Sequence, residues 1–193
     1  VLADAKAHDS DKVIVLEKTN EFVQANGTLS VSPLDGDDWI KVTGVTFNFE
    51  KSSSLEGTGW TSSQIEQFYK YALQINDPFF SNGKPHNLIW NFQAMLDGSL
   101  PKDFRLVLDY SLSSVNALGT PEESIVDTHI VSIELTGTNA IASIGGVTSA
   151  EVTEDMVAYA SGWLTITDAD IGESVFQSPD NLKGDYGTFT FDE

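Results

Sequence analysis

The run Gly162-Trp163-Leu164-Thr165-Ile166-Thr167 leads straight into Asp168-Ala169-Asp170-Ile171-Gly172-Glu173, and this junction constrains the fold more than any other stretch. Leu164 and Ile166 alternate with Thr165 and Thr167, the period of a strand with one face in a core. Asp168, Asp170 and Glu173 follow at once. Carboxylates this close repel one another unless water or a cation intervenes, and clustered hard oxygens suit Ca2+. A weaker copy runs from Gly27 to Asp38. Shifted by 135 positions (162 − 27), Leu29 falls on Leu164, Val31 on Ile166, Asp35 on Asp170 and Asp38 on Glu173. A repeat signal of this kind takes priority over other readings. Short runs at Val13-Ile14-Val15-Leu16 and around Val152 precede the two copies and carry Glu17 and Glu154. Structural calcium is therefore expected on Glu17, Asp35, Asp37 and Asp38 in one copy, and on Glu154, Asp168, Asp170 and Glu173 in the other.

Charge narrows the partners. The chain has 29 acidic against 10 basic residues, a net −19 that repels nucleic acid and anionic membrane surfaces. Cation binding or a surface adapted to salt would each account for it, and the clustering of the acids puts calcium first. There are no cysteines, so neither a disulfide nor a thiolate metal site can form. A secreted domain without disulfides needs another cross-link, and calcium is the usual one. No apolar run is long enough to span a bilayer, so membrane insertion is not expected. Val1 begins no signal peptide, and the chain reads as a piece of something longer. With 193 residues, 40% of them apolar, it can build a real core as one large domain or one domain plus part of another.

Along the chain, residues 1–12 read as a polar linker. Strands are expected at Ile40–Lys51, Leu88–Ala94, Phe104–Tyr110 and Asp127–Leu135, with Asp97-Gly98 turning the second of these into the third as a hairpin. Residues 114–119 read as loop. Thr61-Ser62-Ser63-Gln64 fits a capping box. Ile65, Phe68, Tyr69, Ala72 and Leu73 continue it as one apolar helical stripe, stopped by Asn76-Asp77-Pro78. Phe68, Tyr69 and Leu73 are expected to pack beneath that helix. Tyr186–Glu193 reads as a last strand without a hairpin mate. The fold class expected is all-β, a Greek-key sandwich with one helix in an inserted loop.

Further residues carry a resemblance. Val152-Thr153-Glu154-Asp155, the Ser161–Glu173 stretch and Tyr186-Gly187-Thr188-Phe189 resemble the opening half of a VCBS repeat. Leu108-Asp109, Val115-Asn116-Ala117-Leu118, Asp127-Thr128 and Leu135-Thr136-Gly137-Thr138-Asn139 resemble its closing half. Such repeats are cadherin-like β-sandwiches of giant RTX adhesins from Gram-negative bacteria. The likeness is loose over 13–50 and good over 88–193. Three departures stand out: Ala140 replaces the Asp that follows Gly-Thr-Asn in the family, Pro33 replaces the first Asp of the acidic turn in the first copy, and residues 51–87 are an insertion. A sandwich over 1–139 interrupted by such an insert resembles the peptide-binding domain of these adhesins. Residues 140–193 are then either the start of a second repeat or strands of the same domain. The resemblance implies a secreted, cell-surface module, one unit of a long multi-repeat chain, monomeric in itself. Its partner would be the C-terminal peptide of a target-cell surface protein, the carboxylate held by calcium.

The insert carries the expected ligand contacts. Trp60, Phe79, Phe80, His86, Trp90 and Asn91 bring aromatic and amide groups to a region rich in Ser, Gly, Asn and Pro, as recognition loops do. Arg105 is a local cation for a carboxylate ligand. Asp97, Asp103 and Asp109 could hold a further calcium whose open position takes a ligand oxygen, since the ion inverts the local sign of charge. Catalysis finds no support: His8, His86 and His129 are scattered, with no HExxH and no nucleophile elbow. The expected class is therefore a non-enzymatic adhesion module. A calcium-dependent carbohydrate-binding module and a passive calcium-rigidified extender are the competing readings.

Overall fold

The structure, a computed structural model, describes residues 12–16, 22–31, 39–76, 86–95, 100–116, 120, 123–153, 155–156, 159–177 and 182–191. Among the described residues, seven strands and one helix precede residue 137. They are β1 (Lys12–Leu16), β2 (Phe22–Val31), β3 (Trp39–Phe47), α1 (Ser62–Tyr69), β4 (Leu73–Asn76), β5 (His86–Met95), β6 (Arg105–Asn116) and β7 (Ser124–Thr136). One sheet has the order β1-β7-β6-β3 and the other β2-β5-β4. All neighbours are antiparallel except β1 and β7, which run parallel. The protein is an all-β sandwich with one helix.

Period-2 alternation builds both sheets. On β6, Leu106, Leu108, Tyr110 and Leu112 point inward and are fully buried. They meet Val23, Leu29, Leu88, Trp90 and Phe92 from the facing sheet in one core. The Phe92 and Tyr110 rings touch edge to face across the gap, centroids 6.1 Å apart. Trp90 fits because its register partner is Gly27: a Cβ there would lie 2.4 Å from the indole.

The helix begins as the sequence dictates. Thr61 Oγ1 accepts from the Gln64 amide and Gln64 Oε1 accepts from the Thr61 amide, a complete capping box. Glu66 Oε1 accepts from the amide of Phe47, fixing α1 to the end of β3. The helix stops earlier than its apolar stripe suggests. Leu73 leaves it to open β4, where Leu73 and Ile75 face the core and pair along β5. Phe68 is correspondingly not core: it is 69% exposed, while Tyr69 and Leu73 are buried. The 51–87 segment therefore supplies a strand and three buried side chains, Ile65, Tyr69 and Leu73, to the sandwich. Tyr110 Oη donates to the Tyr69 carbonyl at 2.8 Å, tying the helix end to β6.

Three other expectations change. β5 and β6 are not a hairpin; they lie in different sheets, β5 between β2 and β4, β6 between β3 and β7. β6 continues through Val115 to Asn116 where a loop was expected, with an irregular step between Ser114 and Val115. The final strand has a mate. β10 (Lys183–Gly184) pairs with β11 (Gly187–Thr188), after β8 (Ser143–Gly146) has paired with β9 (Leu164–Thr167). From Ala140 onward the only buried side chain among the described residues is Asp170.

Candidate metal centre

Asp168, Asp170 and Glu173 come together at the end of β9, where each can offer a carboxylate oxygen and all three oxygens lie within 4.8 Å of one another. Local hydrogen bonds shape the turn. Asp168 Oδ1 accepts from the Asp170 amide at 2.8 Å, and Ser174 Oγ accepts from the Asp168 amide at 2.8 Å. The Glu173 amide donates to the Asp170 carbonyl, and Gly172 takes the positive φ of 87° that closes the turn. Nothing in the sequence pattern singles out Ser174; it is found only because its hydroxyl reaches back six residues.

Asp170 is the unusual member. It is 2% exposed, and its Oδ2 accepts from the Ala140 amide at 3.0 Å while Oδ1 has no hydrogen-bond partner. A buried carboxylate oxygen without a donor is costly unless a cation takes its lone pairs. The triad can hold a metal ion through hard oxygen ligands. Ala140, where the resembled family carries Asp, thus contributes its backbone amide to the same carboxylate. Among the described residues this is the one cluster of metal-ligating side chains.

The remaining candidates separate. Asp109 is tied between strands: Oδ2 accepts from Asn48 Nδ2 at 2.7 Å and Oδ1 from Ser132 Oγ at 2.5 Å. Both oxygens have donors, so Asp109 serves as a cross-strand tie and not as the metal ligand expected of it. Asp103 is exposed on the turn before β6 with φ 63°, its amide donating to the Gly137 carbonyl. Arg105 is taken up by Glu134, Nε to Oε1 at 3.1 Å and Nη2 to Oε2 at 2.8 Å. That bidentate hydrogen bond, then the carboxylate's charge, raises the guanidinium pKa above its ordinary value. Arg105 neutralises a nearly buried glutamate and is not a spare cation for a ligand. Glu17, Asp35, Asp37, Asp38, Asp97, Glu154, Phe79 and Phe80 lie outside the described residues.

The aromatic candidates divide too. Trp90 is 4% exposed and belongs to the core, not to a ligand surface. Asn91, next along β5, faces outward and donates to Asn76 Oδ1 at 3.2 Å; His86 begins the same strand. Trp60 is half-buried and lines a cleft of about 270 Å3 with Gln64, Ile65, Phe68, Met95 and Leu100. Met95 and Leu100 were missed from the sequence because neither belongs to a motif or to a run of chemistry-bearing residues.

No helix among the described residues is long and apolar enough to cross a membrane. No protein-family model matches the chain, and no curated protein matches it.

Proposed function

We propose that the chain is a calcium-dependent adhesion module of the RTX-adhesin type, a cadherin-like, Greek-key sandwich followed by VCBS-like strands. It binds the free C-terminus of a target-cell surface protein. In this reading it is displayed on the bacterial surface as one monomeric unit of a long multi-repeat chain, and it has no catalytic role.

The observation that carries the reading is Asp170, whose buried Oδ1 lacks a donor beside two further carboxylates. Ca2+ takes six to eight oxygens, and modules working outside cells bind it with Kd of about 10⁻⁴–10⁻³ M. The ion here is structural: it would hold the 168–173 turn together, while the Ala140 amide ties that turn to the chain through Asp170 Oδ2. The ligand would sit at the apolar cleft between Trp60, Phe68, Met95 and Leu100, the region where the insert meets the segment after β5. Asp103, in the Pro101–Phe104 turn directly after Leu100, would supply a carboxylate to a second ion there. A chain of net −19 repels an anionic ligand, so a cation must mediate contact with a carboxylate. One such contact plus one or two apolar side chains in the cleft fits micromolar affinity, about −8 kcal/mol.

Titration with C-terminal peptides, free acid against amide, in millimolar Ca2+ and in EDTA, tests the proposal. Free acids should bind only with calcium, and amidation should nearly abolish binding. Equal binding of the amide would refute the carboxylate mechanism and move a calcium-dependent carbohydrate module to first place.

A further inference from the structure

The outward face of the β2-β5-β4 sheet carries no charge. Gln24 pairs with Gln93, Asn26 with Asn91, and Gln74 and Asn76 extend the amides onto β4. Thr28 and Ser30 complete β2, Asn87 lies opposite Ser30, and Ile89 stands exposed near the middle. At one end Phe22 and Met95, both about half exposed, face each other. An ordinary surface is about 25–35% charged, so roughly three or four of these twelve positions should carry a charge. None does, in a chain with 29 acidic residues. The outward face of the other sheet is unlike it: it bears Lys41, Arg105, Asp109 and the nearly buried Glu134. The edge strand β2 is itself uncharged over its ten residues, although exposed edges are usually blunted with charge.

We infer that this face is a docking surface for an uncharged polysaccharide, remote from the calcium turn in sequence and bordering the apolar cleft only at Met95. Each amide offers donors and acceptors side by side, as sugar hydroxyls do, and neither partner has to shed an ionic hydration shell. Ile89, Phe22 and Met95 supply apolar contact for the C–H faces of sugar rings. An acidic polysaccharide would meet the repulsion of the whole chain, whereas a neutral one does not. The face holds no tyrosine, tryptophan or arginine, the residues that anchor protein interfaces, so a protein partner fits it less well. From Phe22 to Ser30 the face runs about 27 Å at roughly 3.4 Å per residue, the length of several sugar units. Binding here requires no calcium, because every group involved sits on the sandwich.

Affinity electrophoresis of the whole chain tests the inference, through gels containing dextran, a β-1,3-glucan, a mannan or, as an acidic control, alginate. At least one neutral polymer should retard the protein, equally with Ca2+ and with EDTA, while alginate should not. Asn26→Asp and Gln93→Glu, made singly so that like charges do not become diagonal neighbours, should each weaken the retardation tenfold or more without changing the melting temperature. Three outcomes overturn the inference: no retardation by any neutral polymer, retardation that needs calcium, or variants retarded as strongly as the parent. A dimer in sedimentation that these variants dissociate would also overturn it, assigning the face to a second copy of the chain. Calcium-dependent peptide binding is read separately, so either proposal can fail without the other.

Discussion

The sandwich and the segment after Ala140 are both strand-built, yet they bury opposite things. Every strand of the sandwich contributes apolar side chains to one core, from Val15 on β1 to Leu135 on β7. Beyond Ala140 the described residues bury a single side chain, the carboxylate of Asp170, while Ile141, Met156, Tyr159 and Trp163 stay largely exposed. Ordering a residue costs about 1–2 kcal/mol of backbone entropy, normally offset by apolar burial at about 25 cal/mol per Å2. The sandwich has that offset and the later segment does not. A fold can therefore be all strands and still depend on two unlike sources of order, apolar packing in one part and ligated oxygen in the other.

The largest effect should come from breaking the first source. Trp90→Ala is expected to cost about 3–5 kcal/mol, the same in calcium and in EDTA, measured by denaturant titration. An equal loss of calcium response would merge the two parts. Deleting 51–87 should be as damaging, since it removes Ile65, Tyr69 and all of β4.

Next in size is the ion itself. At calcium 100-fold above its Kd, binding to the folded state should add about 2.7 kcal/mol per site, seen as a higher melting temperature than in EDTA. Asp170→Asn keeps the side chain's shape and should remove most of that increment, while peptide affinity in excess calcium stays unchanged. A large affinity loss with unchanged stability would place the ligand, not the scaffold, at this turn.

Arg105→Ala sharpens the comparison within the sandwich. It strands Glu134, which is nearly buried, and should lower the melting temperature with no calcium dependence. Arg105→Lys keeps the charge but not the bidentate geometry, and should recover only part of the loss.

The smallest effect is alkaline. Burial, with Tyr69 nearby, raises the Tyr110 pKa far above that of an ordinary phenol. The unfolded phenol ionises near pH 10 while the folded one stays neutral, so its contribution is intact below pH 10 and is lost as pH rises beyond it. Stability should fall by up to about 1.4 kcal/mol per pH unit above pH 10, and Tyr110→Phe should flatten that slope.

The alternation of hydrophobic residues was enough to find β3, β5 and β7, because period 2 reports which side of a strand meets a core. It does not report which strand lies alongside, so β5 and β6 read as a hairpin although they occupy different sheets. The capping box at Thr61 was readable residue by residue, being local chemistry. The helix end was not: Leu73 satisfies a helical spacing and an inward strand position equally, and pairing with Phe92 decides. The extension of β6 was hidden by Ser113 and Ser114, buried hydroxyls that look like loop; Ser113 exchanges hydrogen bonds with Thr43 and Thr128 from both neighbours. At the site, the acidic cluster was plain, but only the backbone of Ala140, thirty residues away, makes Asp170 the buried member. Arg105 and Trp90 misled for the same reason, since Glu134 and Gly27 are distant in sequence and adjacent in the sheets.

Hydrogen exchange, followed peptide by peptide with saturating Ca2+ and with EDTA, tests the division most directly. Amides of β8, β9 and the 168–175 turn should lose protection by about 100-fold when calcium is removed, the equivalent of 2.7 kcal/mol. Amides of β5, β6 and β7 should exchange at the same rate in both conditions. Protection of β8 and β9 that survives EDTA, or a loss spread evenly over the sandwich, would contradict the account.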